Sequence, residues 1–201
     1  RLTFGDGYDS IPPQEALARY AREVRAEYLF ASDDSITMYT PEEIADFKSA
    51  LSLVTKASFV DVPHGLLSLQ KELYTYSAGA AHGLLGTSYY NIDLKTRTVL
   101  SEGDLFVDGY QPELAKVLQR CALTTYGCKT VEELEEKIGA YLTDFAPNDN
   151  FTLSPEGLIY CYNPYEIAPF AAGTIRVRVP YVELSKLLRP GSPLAAYLPT
   201  N

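Results

Sequence analysis

The sequence predicts an α+β fold: an antiparallel sheet of several strands packed against helices, with a helical insert between two strand groups. Three observations predict it. A helix-periodic stretch comes first and runs rich in β-branched and aromatic residues follow. Two further helical stretches then interrupt the strands. Nowhere do strand and helix alternate in the way a parallel α/β sheet requires.

Residues 1–11 read as an irregular leader containing Gly, Asp and Ser. Pro12-Pro13 opens a helix over QEALARYAREVRAEYLFA, in which Leu17, Tyr20, Ala21, Val24 and Tyr28 share one face. Ser32-Asp33-Asp34-Ser35 ends it. Thr40-Pro41-Glu42-Glu43 is a helix start, with Thr as N-cap, Pro at the first position and Glu at the third, and predicts a short helix over 41–50. SLVTKASFVDV and LLSLQKELYTYSA flank Pro63-His64-Gly65 and read as a hairpin. LLGTSYYNIDL reads as a third strand, and Lys95-Thr96-Arg97 turns it into a short fourth, Thr98-Val99-Leu100. The simplest arrangement is a meander.

Ser101–Phe106 reads as a turn. A helix over about 111–125 puts Leu114, Val117, Leu118, Cys121 and Ala122 on one face. Thr130-Val131-Glu132-Glu133 is a second capping box, and its helix carries Leu134, Ile138 and Leu142 at i, i+4, i+8. After the Pro147–Asn150 loop, residues 151–162 read as two strands around Pro155-Glu156-Gly157. Residues 163–173 read as a loop. Thr174–Pro180 alternates apolar and charged residues, as a strand with one wet face does. Tyr181–Leu188 reads as a short helix ended by Pro190-Gly191. This divides the chain into a helical region, 1–50, and an α+β domain, 51–201.

The chain has 201 residues, is 46% hydrophobic and 21% charged, and is ordinary globular material. Its formal net charge of −9 argues against nucleic acid and anionic lipid as partners. No apolar run approaches the ~20 residues that span a membrane. Tryptophan is absent while tyrosine occurs 16 times, which suits half-buried sheets and binding surfaces. Cys121 and Cys128 are near enough in sequence for one bridge, leaving Cys161, and three free thiols fit equally well. The first residue is Arg1 rather than Met, which fits the removal of a signal peptide or lipoprotein leader.

The most informative local motif is Ser77-Ala78-Gly79-Ala80-Ala81-His82-Gly83, with Tyr89-Tyr90-Asn91-Ile92-Asp93-Leu94 after it. Small residues let the backbone turn sharply or approach a neighbour closely, and a histidine fixed there is a structural hydrogen-bonder or a functional group. A zinc site would need three or four ligands, and no spacing around His82, Asp93 and Glu166 supplies them. No nucleophile elbow is present either. No metal and no cofactor is expected. Tyr165 and Glu166 sit between Pro164 and Pro169, a stiffened loop that suits a binding platform or a core plug formed by Tyr165 and Ile167. Glu132-Glu133-x-Glu135-Glu136 reads as a solvated helix face.

Taken together, Gly79-x-x-His82-Gly83, Asn91–Thr96, Asp104-Leu105-Phe106, Gly157-Leu158, Asn163–Pro169, Ala172-Gly173 and Val179-Pro180-Tyr181-x-Glu183-Leu184 carry a resemblance. Over about residues 55–188 the chain resembles a bacterial extracytoplasmic domain family of unknown function. That family is known from the outer portion of the anti-sigma factor RsiV and from beside the deacetylase domain of PdaC. Residues 12–50 look like the divergent region that commonly precedes it. Ala80 stands where the family usually has a second glycine. The resemblance implies an envelope, cell-surface or secreted location and binding rather than catalysis. It implies a protein ligand, lysozyme being the one recognised by RsiV, or a cell-wall glycan such as peptidoglycan. On this reading His82, Tyr89, Tyr165 and Glu166 are candidate binding residues, and Gly79, Gly83, Asp93, Pro164 and Pro169 shape the motif. Two alternatives stand beside it: an envelope polysaccharide hydrolase or deacetylase using His82 with an acidic partner, and an accessory module with no ligand of its own.

Overall fold

The computed structural model describes residues 7, 8, 10–31, 42, 52–76, 80–140 and 145–198. It is an α+β protein with two antiparallel sheets. The chain separates into two compact units, one formed by Arg1–Thr55 with Tyr74–Leu84, the other by Lys56–Leu73 with Leu85–Asn201. The helix expected over 41–50 lies outside the described residues apart from Glu42.

In the first unit, α1 spans Pro13–Ala31 and begins with proline in its first turn, where a missing N–H costs nothing. Arg19 and Glu23, one turn apart, pair at 2.7 Å, and the Tyr8 hydroxyl also donates to Glu23. The Arg19 guanidinium lies 4.8 Å from the centre of the Tyr8 ring.

The first sheet is a meander of β1 (Ser52–Val62), β2 (Leu66–Tyr76), β3 (Leu84–Asp93) and β4 (Thr98–Leu100), in that order. The β1–β2 turn contains His64 and Gly65, both left-handed. The β3–β4 turn is built by Asp93, whose Oδ1 accepts from the N–H of Lys95 at 2.8 Å and of Thr96 at 3.2 Å. These two bonds hold the Asp93 carboxyl below its usual range. β4 pairs only with Asn91–Asp93, so it stops opposite Asn91.

The connection to the second sheet is helical, as expected. Ser101–Phe106 is not a plain turn. Glu102–Leu105 forms a one-turn helix, α2, and Asp104 Oδ2 accepts from both the N–H and the hydroxyl of Ser101. α3 spans Gln111–Tyr126, and all five residues expected on its inner face are buried. α4 spans Val131–Ile138, with Thr130 Oγ1 accepting from the Glu133 N–H. It ends earlier than the Leu134–Ile138–Leu142 spacing implies, because Gly139 turns left-handed and closes it. Leu142 lies outside the described residues.

The second sheet is β5 (Phe151–Leu153), β6 (Gly157–Tyr162) and β7 (Ile175–Pro180), antiparallel in sequence order. Gly157 is required by close approach: a Cβ there would lie 2.9 Å from Pro180 Cα and still nearer the Val179 carbonyl. In β7, Ile175, Val177 and Val179 are buried while Arg176 and Arg178 are exposed. α3 packs on the buried face, giving a core of Leu114, Leu118, Phe151, Leu158, Tyr160 and Val177. β7 is an edge strand, and α3 covers that edge with side chains. The Tyr126 hydroxyl accepts from the Arg176 N–H at 3.2 Å, and Thr125 Oγ1 from the Arg178 N–H at 3.4 Å.

The helix after β7 is shorter than the sequence suggests. α5 covers Tyr181–Leu184 only. Beyond it the backbone is claimed by residues 105–107: Val107 N–H donates to Leu187 C=O, Arg189 N–H donates to Leu105 C=O, and Phe106 bridges Leu188. Tertiary pairing thus overrides local helix propensity. All three cysteines are free thiols, so no Cys121–Cys128 bridge forms. Burial raises the Cys161 thiol to about 11 and also raises that of Cys121.

Candidate functional site

The site is built where the two sheets of the second unit meet, and asparagine side chains build it. Past the end of β4, no strand among the described residues lies beside the outward backbone groups of β3. Asn163 takes the place of one: its Oδ1 accepts from the Thr87 N–H at 2.7 Å and its Nδ2 donates to the Thr87 C=O at 3.0 Å. Asn150 continues the row. Its Oδ1 accepts from the Tyr89 N–H at 3.0 Å, and its Nδ2 donates to the carbonyls of Thr87 and Cys161 at 2.9 and 3.0 Å. Further along, Asn91 Nδ2 donates to the Phe151 C=O at 2.8 Å, and the Ser68 hydroxyl donates to Asn91 Oδ1. The Leu153 N–H donates to Ser68 Oγ at 3.0 Å. These side chains satisfy buried edges that would each cost about 1–3 kcal/mol if left unpaired.

The same asparagines hold Glu166. Asn163 Nδ2 donates to Glu166 Oε1 at 3.1 Å, and Asn148 Nδ2 donates to Glu166 Oε2 at 3.0 Å. Each carboxylate oxygen is fixed by a neutral amide while the residue remains exposed. Tyr165 precedes it with a φ of 74°, a left-handed backbone that a bulky residue rarely adopts. Its N–H donates to the Ala168 C=O at 3.0 Å, and the Glu166 N–H donates to the Asn163 C=O at 3.1 Å. The loop is thereby a closed turn between Pro164 and Pro169. Tyr165 is 54% exposed and its ring lies 5.9 Å from that of Phe170. Of the two residues considered as a core plug, only Ile167 is buried.

Tyr89 hangs on the same scaffold through Asn150. Its hydroxyl is raised from its usual range, chiefly by burial, although the Arg176 guanidinium pulls the other way. The structure therefore ties Tyr89, Tyr165 and Glu166 to one asparagine cluster. His82 belongs to the other unit, where it is exposed and its Nδ1 lies 3.0 Å from the Gly83 C=O. Gly83 sits against the Tyr74 ring, where a Cβ would strike the phenol. Gly79 lies outside the described residues. No group of three or more His, Cys, Asp or Glu side chains arranged to hold a metal occurs among the described residues.

Sequence reasoning missed Asn148, Asn150, Asn163 and Arg176. The Asn148-Asp149-Asn150 run read only as a loop, a role asparagine often has, and Asn163 stood in the motif that carries the resemblance without being given a bonding role. A second buried polar centre was also missed. Glu102 is 4% exposed. It accepts from the Tyr110 hydroxyl at 2.7 Å and the Asp149 N–H at 2.9 Å, and its own N–H donates to Asp149 Oδ1 at 2.6 Å. Burial raises its carboxyl above the usual range against the pull of these bonds. The buried Tyr160 hydroxyl is coupled to this carboxylate electrostatically rather than through a well-formed hydrogen bond.

Residues 103–182 match the family model described as "Protein of unknown function (DUF3298)". Two solved structures share the fold. A member of the DUF3298 family from Bacteroides fragilis has a TM-score of 0.78 at 24% identity, over 98% of this chain and 77% of that one. A DUF3298 family protein from Pseudomonas aeruginosa has a TM-score of 0.61 at 19% identity, over 94% and 84%. A search for relatives among proteins of curated function finds no match. No helix among the described residues is long and apolar enough to cross a membrane.

Proposed function

Starting from a DUF3298-family domain over residues 103–182, we propose that this protein is an extracytoplasmic, non-enzymatic domain that binds a protein or cell-wall glycan through the Asn163–Pro169 loop. The observation that carries this reading is Tyr165. A left-handed tyrosine costs about 1–3 kcal/mol, and such strain persists where the surroundings impose it, commonly at ligand-contacting sites. Here the surroundings impose it on a side chain that faces solvent. The neighbouring carboxylate is already oriented by two amides, so little side-chain entropy remains to be lost on binding. The resemblance to the RsiV and PdaC domains supports the compartment and suggests lysozyme and peptidoglycan as ligands to try.

The test is equilibrium binding of the purified chain to lysozyme and to isolated peptidoglycan, with Tyr165→Ala beside the wild type. Binding to one of them, weakened about tenfold or more in the variant, is the expected result, as for an aromatic anchor worth over 1 kcal/mol. Binding to neither, or binding indifferent to Tyr165, overturns the proposal.

A further inference from the structure

We infer that Arg176 and Arg178, on the wet face of β7, form an oxyanion subsite of this binding surface, taking a carboxylate or phosphate carried by the ligand. The two side chains leave the same face of one strand, two residues apart, so their origins are separated by about 6.6 Å. That spacing lets two guanidinium forks converge on one oxyanion. Their cross-strand neighbours are Cys161 and Ile159, neither of which carries a charge to compensate them. Tyr89, whose backbone N–H is fixed by Asn150, is the side chain that acts most on Arg176 electrostatically. Glu72 is the carboxylate that acts on Arg176, while Arg178 makes no ion pair among the described residues. Two exposed guanidiniums side by side repel one another, and in a chain of net charge −9 carboxylates were plentiful enough to neutralise both. The pair is left half-compensated, with Tyr89, one of the residues proposed to contact ligand, acting on Arg176.

This inference rests on the reading of Tyr89, Tyr165 and Glu166 as a binding surface, and it extends that reading to the charge of the ligand. Because the ligand is unidentified, the probes are sodium phosphate and sodium acetate, titrated at constant ionic strength into the whole chain. The arginine Nε–H resonances are followed by NMR. Saturable shifts at Arg176 and Arg178 are expected with one or both anions. Arg178→Gln weakens the response about tenfold, the loss of one charge-assisted contact. Arg178→Lys keeps the charge but loses the fork and falls between. A response to phosphate alone assigns a phosphate-bearing ligand; a response to acetate assigns a carboxylate. Shifts that never saturate, that appear equally at Arg97, or that persist in Arg178→Gln overturn the inference. The anion titration and the lysozyme and peptidoglycan titrations are separate measurements, so failure of the loop as a platform and failure of the anion subsite are read separately.

Discussion

Replacing Tyr165 by glycine and by alanine separates the strain at this position from the contacts its ring makes. Both substitutions remove the ring and its packing against Phe170, a loss of about 0.5 kcal/mol, at the low end for an aromatic pair because Tyr165 is 54% exposed. They differ in the backbone. At φ 74° alanine keeps the left-handed penalty of roughly 1–2 kcal/mol. Glycine removes that penalty but adds about 0.5–1 kcal/mol through the greater freedom of its unfolded chain. The glycine variant is therefore more stable than the alanine variant by about 0.5–1 kcal/mol, and close to the wild type. For a chain of this length that difference is a gap of about 1–4 °C in melting temperature. Far-UV circular dichroism melts and urea titrations of the three proteins measure it. An alanine variant as stable as the glycine variant would show that residue 165 is not held left-handed, and the strain argument for the loop would fall with it. Binding gives a second readout, because both variants lack the phenol and lose affinity equally whatever their stability.

Three further outcomes follow from the same geometry. Gly157→Ala drives a Cβ into the Val179 carbonyl, a backbone group that cannot rotate away, and lowers stability by about 1–3 kcal/mol in a urea titration. Asn163→Ala leaves the buried Thr87 N–H without an acceptor and lowers stability by about 1–3 kcal/mol; hydrogen exchange at Thr87 accelerates before global unfolding. Glu102 titrates with a raised pKa in the folded state, so the folded protein binds the proton more tightly than the unfolded chain does. Its contribution is present below the unfolded value of about 4.3 and is lost as pH rises through the raised folded value. Glu102→Gln abolishes that loss, so wild-type stability relative to the variant declines with rising pH across this window; a parallel pH dependence in the two proteins would refute it.

Much of the fold was legible because it depends on local chemistry. The spacing of Leu114, Val117, Leu118, Cys121 and Ala122 marks the inner face of α3, and the alternation of Ile175, Val177 and Val179 with Arg176 and Arg178 marks the wet face of β7. What was not legible depends on partners distant in sequence. Nothing near Ser185 announces that residues 187–189 will pair with 105–107, so the helix after β7 reads too long. The short helix at Glu102–Leu105 is a different case. Its signal, Ser101 followed three residues later by Asp104, was present and is a recognised cap pattern. At the site, Tyr165 and Glu166 stood out through their flanking prolines. The asparagines that position them did not, because an asparagine bonding to the next turn and one bonding to a strand 76 residues away look alike in sequence.

The histidine motif and the asparagine seam represent two ways for a sequence to attract notice. Gly79–Gly83 is conspicuous by composition, yet the exposed His82 ring reaches the carbonyl of its immediate neighbour. Asn148, Asn150 and Asn163 are less conspicuous, and their side chains carry nine hydrogen bonds between them. The reason is geometric. β4 is too short to cover β3, and β5 is too short to replace it, so part of each edge must be satisfied by side chains. Asparagine suits this because its amide offers a donor and an acceptor in the arrangement of a peptide group. An edge closed by side chains, unlike one closed by a strand, leaves spare amide protons, since each NH2 has two. Asn148 and Asn163 each direct a donor to Glu166 while bonding to backbone carbonyls of Cys161 and Thr87. The feature that closes the sheet therefore also orients the exposed carboxylate, and this coupling is why a change at Asn163 is expected to disturb stability and binding together.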